Sequence, residues 1–214
     1  MKIIFLGAPG CGKGTQARKL SEKYSIKTLS TGDLLRSEIK NNSNIGIEAK
    51  KYIEQGNLVP DQVINDIVAI NIINLDSFIL DGYPRTIEQA INLNNILLAK
   101  DKKIDCVIYF TASDDVLIKR ICGRFSCKNC NAIYNKYFKK TKKDNICDQC
   151  GSTDFEIRQD DNEETIKHRL KVFKDQNDKL INYYQKNNLI YSLDALKNEG
   201  FIFENLVSYL DKLN

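Results

Sequence analysis

Apolar positions along the chain fall into two rhythms that alternate. Lys2 to Leu6 carries Ile3, Ile4, Phe5 and Leu6 without a break, the pattern of a strand buried on both faces. Similar short runs at Ile26 to Leu29, Ser77 to Leu80, Val107 to Phe110 and Leu189 to Leu193 predict four more strands. Between them the spacing turns helical. Ala17, Leu20 and Tyr24 share a face after Gln16, and further helices are predicted over 33–41, 43–55, Pro60 to Ile73 and Thr86 to Lys100. Pro60 stands at a helix start, where its missing N–H does no harm. Ser113-Asp114-Asp115 is expected to cap a helix running to Ile121. A long helix follows Thr165 to about Lys186, and a closing one spans Phe201 to Leu213 with Phe203, Leu206, Val207 and Leu210 inward. Strands alternating with helices at this spacing predict an α/β fold, a doubly wound parallel five-stranded sheet.

The break after the first run is the most informative point. Gly7-Ala8-Pro9-Gly10-Cys11-Gly12-Lys13-Gly14-Thr15 joins a predicted strand to a predicted helix, the setting a P-loop requires. Its glycines let backbone N–H groups turn toward phosphate oxygens, and the helix N-terminus adds its positive end. Lys13 can reach terminal phosphates, and the hydroxyl of Thr15 suits Mg²⁺. Gly14 stands where Ser or Thr usually follows the lysine.

Two later strands also end in polar groups. Ser30-Thr31-Gly32-Asp33-Leu34-Leu35-Arg36 opens a small helical insertion, and Thr31 and Arg36 stand at its mouth. Asp81-Gly82-Tyr83-Pro84-Arg85 follows the third run, with Gln89 in the next helical turn. A carboxylate at the carboxyl end of a buried strand lies where open α/β sheets bind ligands. From there Asp81 can accept hydrogen bonds from Mg²⁺-bound water.

Seven cysteines fall at 11, 106, 122, 127, 130, 147 and 150, and the last four form Cys-x2-Cys-x16-Cys-x2-Cys. That spacing matches a tetrahedral four-cysteine zinc site. Iron, or redox use of the two pairs, are the competing readings. Asn131 and Gly151 follow the second cysteine of each pair, and both tolerate the left-handed turn a knuckle needs. Residues 124 to about 160 read as a loop-rich polar insertion, and one of below roughly 40 residues usually needs a metal or disulfides to hold its shape. Cys11, Cys106 and Cys122 read as plain small residues in a reducing compartment.

Composition narrows the class. The chain has 214 residues, enough for one substantial core, and its formal charge of +4 does not by itself call for nucleic acid or membrane. No apolar stretch approaches a membrane span, and the apolar N-terminus is too short for a signal peptide, so a cytoplasmic protein is expected. The cations differ in kind. There are 25 lysines but only seven arginines, at 18, 36, 85, 120, 124, 158 and 169. A chain this rich in lysine keeps arginine where a planar fork is needed, and bidentate phosphate binding is the leading such need. The lysine run at 139, 140, 142 and 143 reads as a solvated loop tip, and His168 as a surface residue.

Together these motifs resemble the adenylate kinases of the long, zinc-carrying type. The marks are GAPGCGKGTQA at 7–17, STGDLLR at 30–36, DGYPRT at 81–86, the four cysteines and RQDDNEET at 158–165. The resemblance implies a core of 1–30, 61–122 and 161–214, an AMP-binding domain of 31–60, and a zinc-bearing lid of 123–160. It implies that Gly10, Cys11, Gly12, Lys13, Gly14, Thr15, Arg120, Arg124 and Tyr134 bind ATP. AMP would meet Thr31, Arg36, Ile53, Asn57, Val59, Gly82, Arg85, Gln89, Arg158 and Arg169. Lys13, Arg85, Arg120, Arg124, Arg158 and Arg169 would act in catalysis, Asp33 and Asp81 would order magnesium-bound water, and Cys127, Cys130, Cys147 and Cys150 would hold structural Zn²⁺.

The implied reaction is Mg·ATP plus AMP giving two ADP, by a monomer with no nucleic-acid or membrane partner, maintaining adenine nucleotide balance. The chain departs from the family's commoner residues at Phe125 (a second arginine), Ile53 (a methionine), Asn135 (a histidine after the tyrosine) and at the lysine run (two prolines). A kinase for another nucleoside monophosphate is the nearest alternative, though Thr31 argues against a pyrimidine acceptor. GTP as donor stays open, and a nucleic-acid-dependent ATPase carrying a zinc ribbon is the rival from another class.

Overall fold

A computed structural model describes residues 1–213, so only Asn214, the last residue of the expected core, lies outside the described residues. Five parallel strands form the main sheet: β1 (Lys2–Gly7), β2 (Lys27–Ser30), β3 (Phe78–Asp81), β4 (Cys106–Thr111) and the last strand, β8 (Ile190–Asp194), in the order β2-β3-β1-β4-β8. The first strand is therefore central, and its end carries the glycine-rich loop to the middle of the carboxyl edge.

Side chains of β1 alternate between two cores, as a twice-buried strand must. Ile3 and Phe5 join Ala17, Leu20, Ile108, Phe110, Leu117 and Leu206 on one face. Ile4 and Leu6 join Leu29, Val68, Leu80, Leu93 and Val107 on the other. The first core is covered by α1 (Lys13–Tyr24), α6 (Asp114–Cys122) and the closing helix α8 (Glu199–Leu210). The second lies under α4 (Asp61–Ile72) and α5 (Ile87–Leu98). The long helix α7 (Glu163–Lys186) serves both, giving Ile166 and Leu170 to the first and Leu180 and Tyr184 to the second. Each such buried aliphatic contributes about 1.5–3 kcal/mol over its exposed state, so α7 is anchored toward both ends.

Two insertions leave the sheet. The first holds α2 (Thr31–Lys40) and α3 (Asn44–Glu54). The second is a small antiparallel sheet, β6 (Ile133–Asn135), β5 (Arg124–Cys127) and β7 (Phe155–Glu156) in that order, around buried Cys127, Ala132, Tyr134 and Cys147 with Phe125, Cys130 and Phe155 packed against them. The insertion is loop-rich, as expected, and the short strands add to that reading: runs of two to four residues are too short to register as a period in the sequence.

Helix ends differ from expectation where capping decides them. The first helix starts at Lys13, before Gln16, because Gly12 takes φ 95° as its N-cap. Ser30 caps α2 by accepting from Asp33 N–H, so Thr31 is already helical. Asn198 caps α8, which therefore begins before Phe201, includes Ile202 in its buried stripe, and ends at Leu210, short of the expected Leu213. Ser113 stands at the N-cap of α6 without a side-chain bond, leaving Asp114 and Asp115 to favour the helix through charge. No helix among the described residues is long and apolar enough to cross a membrane.

Candidate active site

The glycine-rich loop wraps the start of α1. No side chain caps that helix, and the first N–H groups of any helix lack intrahelical partners, so its N-terminus is free to meet an anion. Gly12 has open space around a would-be Cβ, and its φ of 95° is what requires glycine. Gly14 sits close to a carboxylate instead. A Cβ there would stand 3.3 Å from Asp81 Oδ2, a tight contact that favours glycine unless the carboxylate shifts by a few tenths of an ångström. Lys13 Nζ donates to the carbonyls of Gly7 at 2.7 Å and Ala8 at 2.9 Å, with Cys11 Sγ at 3.5 Å. The ammonium thus sits inside the loop, with Thr15 one residue beyond Gly14.

Two carboxylates face this loop with opposite electrostatics. Burial pushes the Asp81 carboxyl up, and the nearby Lys13 charge only partly offsets it. Burial acts the same way on Asp33, but Arg36, by charge and hydrogen bond, and Arg158 outweigh it and hold the group below its ordinary value. Asp33 Oδ1 accepts from Arg36 and, at 3.3 Å, from Arg158 Nη2.

On the other side of Asp81 the chain builds a polar frame. Gly82 O accepts from Thr31 Oγ1 at 2.9 Å and Arg85 Nε at 2.8 Å, so the Thr31 hydroxyl ties the first insertion to the strand end. Gln89 Oε1 accepts from Arg85 N–H at 2.7 Å, and its Nε2 donates to Asp61 Oδ1 at 2.6 Å. Asp61 Oδ2 also takes Thr86 Oγ1 at 2.7 Å. Asp61 therefore sets the Gln89 amide, which in turn fixes the backbone at Arg85. Sequence reading passed over Asp61, whose only local signal is an acidic first turn of α4. A cavity of about 60 Å³ lies here, lined by Thr31, Arg36, Ile53, Asn57, Val59, Gly82, Arg85, Gln89, Asp160 and Arg169.

This pocket shares Arg36, Gly82, Arg85 and Arg169 with a larger cleft of about 640 Å³. Gly10 to Thr15, Asp33, Asp81, Tyr134 and six of the seven arginines line that cleft; Arg18 does not. Most of the six have a fixed partner. Arg124 grips the buried Asp161 with two bonds, of 2.7 and 2.5 Å. Arg169 Nη1 donates to Asp160 at 2.6 Å, and Arg120 Nη1 to Ala195 O at 2.8 Å. Burial, with the charge of Arg169, lowers Arg85 to about 10, and burial with the charge of Arg124 does the same to Arg158. Both stay cationic near neutral pH, held close to like charges and poised for an anion.

Asp160 and Asp161 were legible only as part of a polar run, because their partners Arg169 and Arg124 lie 9 and 37 residues away in sequence. Tyr134 borders the cleft, but its hydroxyl is occupied inside the second insertion, against Cys147 Sγ at 3.4 Å and the N–H of Asp148 at 2.7 Å. His168 is exposed, as expected, yet its Nε2 meets Asn57 Oδ1 at 2.7 Å.

The four cysteines converge. Their sulfurs lie within 4.8 Å of one another, with Cys127–Cys150 at 3.6 Å and Cys130–Cys147 at 3.5 Å. These separations exceed a disulfide's roughly 2.05 Å and suit four ligands around one metal ion. The two pairs repeat the same backbone turn. Asn131 (φ 58°) donates to Cys127 O and Gly151 (φ 73°) to Cys147 O, each at 2.9 Å. Cys127 and Cys147 N–H then close on Ala132 O and Ser152 O.

Comparison with known proteins agrees with this geometry. A family model described as adenylate kinase matches residues 5–189. An adenylate kinase of Rickettsia bellii is 45% identical over 217 residues, covering 100% of both chains. One of Lachnoclostridium phytofermentans is 44% identical over 216 residues, covering all of this chain and 99% of the relative. One of Archaeoglobus fulgidus is 42% identical with the same coverage. Phosphate loop, paired cavities, arginine cluster and cysteine knuckles thus sit in a chain that matches such proteins from end to end, and it belongs to the adenylate kinase family.

Proposed function

We propose that the cleft transfers the terminal phosphoryl group of Mg·ATP reversibly to AMP, giving two ADP. The observation that carries this reading is the convergence of Lys13 and six arginines on one cleft that runs into a second, smaller pocket. That is a place for two phosphate-bearing ligands end to end. The attacking atom is an AMP phosphate oxygen, already largely ionised near neutral pH with a second pKa of about 6. No general base is needed, and catalysis reduces to alignment and charge stabilisation. The donor phosphates lie on residues 10–15 with Lys13 following the moving group. Arg85 and Arg36 hold the acceptor phosphate. Arg120, Arg124, Arg158 and Arg169 surround the group in flight.

Thr15, Asp33 and Asp81 offer the hard oxygens that suit Mg²⁺ and its waters, which supplies neutralisation of phosphate charge when bound. Residues 31–60 serve as the AMP-binding domain and 123–160 as the lid, whose closure excludes water as a competing acceptor. Thr31, Ile53, Asn57, Val59 and Gln89 line the AMP side. A coupled assay across AMP, UMP and CMP as acceptors, with ATP and GTP as donors, tests this reading. It predicts AMP as the preferred acceptor and ATP as the preferred donor, and equal turnover of UMP would overturn it.

The metal at the cysteine site is zinc in this reading. Zn–S bonds of about 2.3 Å in a tetrahedron place sulfurs about 3.8 Å apart, close to the 3.5 and 3.6 Å separations here. Four buried residues with Phe125, Cys130 and Phe155 packed against them are too small a core to hold the lid alone, so the ion is structural. Cys147→Ser is expected to lose zinc and lower Tm by roughly 5–10 °C, the shift that a loss of about 2–3 kcal/mol gives at this size. The main sheet has its own cores, so kcat well below Tm stays within about threefold of wild type, an effect under 1 kcal/mol. Metal analysis and Tm beside kcat check this. Full zinc content in the variant, or abolished turnover in a folded one, contradicts it.

A further inference from the structure

The lysine run at the lid tip, which the reaction leaves unused, has one member that does not face solvent alone. Lys139 Nζ reaches Glu199 Oε2 at 3.0 Å, and the same carboxylate takes Lys19 Nζ on Oε1 at 2.6 Å. Lys19 lies on α1 and Glu199 in the first turn of α8, so one side chain bridges the fixed core and the lid. Its backbone is fixed as well: Glu199 O accepts from Nε2 of Gln16, whose side chain is buried, at 3.0 Å. Lys139 and Glu199 both line the larger cleft, as do Phe138 and Ala195, and neither lines the smaller pocket. Lys139 thus ties the lid to the core through Glu199, beside the contacts of Arg124 with Asp161, Asn135 with Arg120 O and Arg18 with Asn131 O, while Arg158 ties the lid to Asp33 of the first insertion.

We propose that Glu199 is a positioning residue for the donor nucleotide: paired with Lys139, it latches the lid over the donor half of the cleft and so sets donor affinity without touching the acceptor pocket. The inference rests on the phosphotransfer reading for its ligands. Three features support it. The contact joins the lid to the core across the cleft, so its free energy favours the arrangement in which the two meet. The pair is half exposed, with side-chain exposures of 47% and 36%, which limits its effect to the roughly two- to fivefold of exposed pairs and makes it sensitive to salt. Burial opposes ionisation of the Glu199 carboxyl, yet hydrogen bonds and charge from Lys19 and Lys139 hold it below its ordinary value.

Glu199→Gln removes the charge but keeps the backbone acceptor for Gln16, and Lys139→Ala removes the lid partner. Each is expected to weaken ATP binding about two- to fivefold by calorimetry at 50 mM NaCl, with the ratio to wild type closing at 500 mM as the charges are screened. AMP affinity stays unchanged. Because lid opening often limits turnover, kcat holds or rises rather than falls. The double variant is no weaker than either single one, as members of one contact require. Lys19→Ala, which cuts only the core side, lowers Tm but leaves ATP affinity within twofold.

Wild-type ATP affinity in both single variants at 50 mM NaCl would overturn the proposal. So would parallel losses of ATP and AMP affinity, which mark general loosening. ATP calorimetry reads the latch even without turnover, whereas failure of the wild-type chain to make ADP from ATP and AMP would strike the reaction and not the latch.

Discussion

Replacing Lys13 with alanine is expected to lower kcat by about two to three orders of magnitude while the circular dichroism spectrum stays that of wild type. The size is that of removing one preorganised donor from a charge that develops in the transition state. Lys13 is well placed for this role. Its Nζ is held between the Gly7 and Ala8 carbonyls at the centre of the sheet's carboxyl edge, so it needs only a short swing to follow a phosphoryl group. Those contacts are local to the loop and contribute nothing to either core, so Tm falls by no more than a few degrees, as losing about 1 kcal/mol implies. Nucleotide affinity weakens far less than kcat, because the N–H groups of the loop remain. Steady-state kinetics beside calorimetric binding measure the two separately. A variant with near-normal kcat, or one whose loss is all in binding, would remove Lys13 from the chemistry.

Arg85→Lys is the second large effect, and a conservative label misdescribes it. The guanidinium is fixed through Nε to Gly82 O, and the backbone N–H through Gln89 to Asp61, so the remaining Nη atoms present a fork of set direction. Lysine offers one rotatable point charge and cannot both accept that bracing and grip a phosphate by two oxygens. Misplacing a reacting atom by about 1 Å costs on the order of a hundredfold. The expected result is a hundredfold lower kcat/KM for AMP, with ATP affinity nearly unchanged because the donor sits on the loop. Equal kcat/KM for AMP in the two proteins would show that Arg85 does not steer the acceptor phosphate.

What could be seen in the sequence follows from the range over which each feature is determined. The strand, loop and first helix were legible because Ile3 to Leu6, the glycines and the helical spacing act on neighbours. The cysteine knuckles were legible for the same reason, and the left-handed turns at Asn131 and Gly151 lie where the residue types place them. The start of α1 was misplaced because the glycines of the loop look like a breaker, although one of them is the cap.

Partners that act across long separations left no local trace. Asp61 braces Gln89 from 28 residues away, and Asp161 meets Arg124 across 37. An acid in a polar run looks the same whether it is solvated or neutralises a buried arginine. The scarcity of arginine was a better guide than any single position, since all six arginines expected at ligand positions line the larger cleft. Lys139 shows the reverse: its run looks solvated, and only the folded chain reveals Glu199 opposite it.

The central claim is that one cleft aligns two nucleotides for direct transfer between phosphates. Phosphorus NMR of the purified chain with Mg²⁺, ATP and AMP tests it most directly, because it follows every phosphate at once. The account predicts two ADP formed for each AMP consumed, approach to the same mixture from ADP alone, and no inorganic phosphate above background when AMP is left out. Steady phosphate release from ATP without AMP, rising on addition of RNA or DNA, would contradict it.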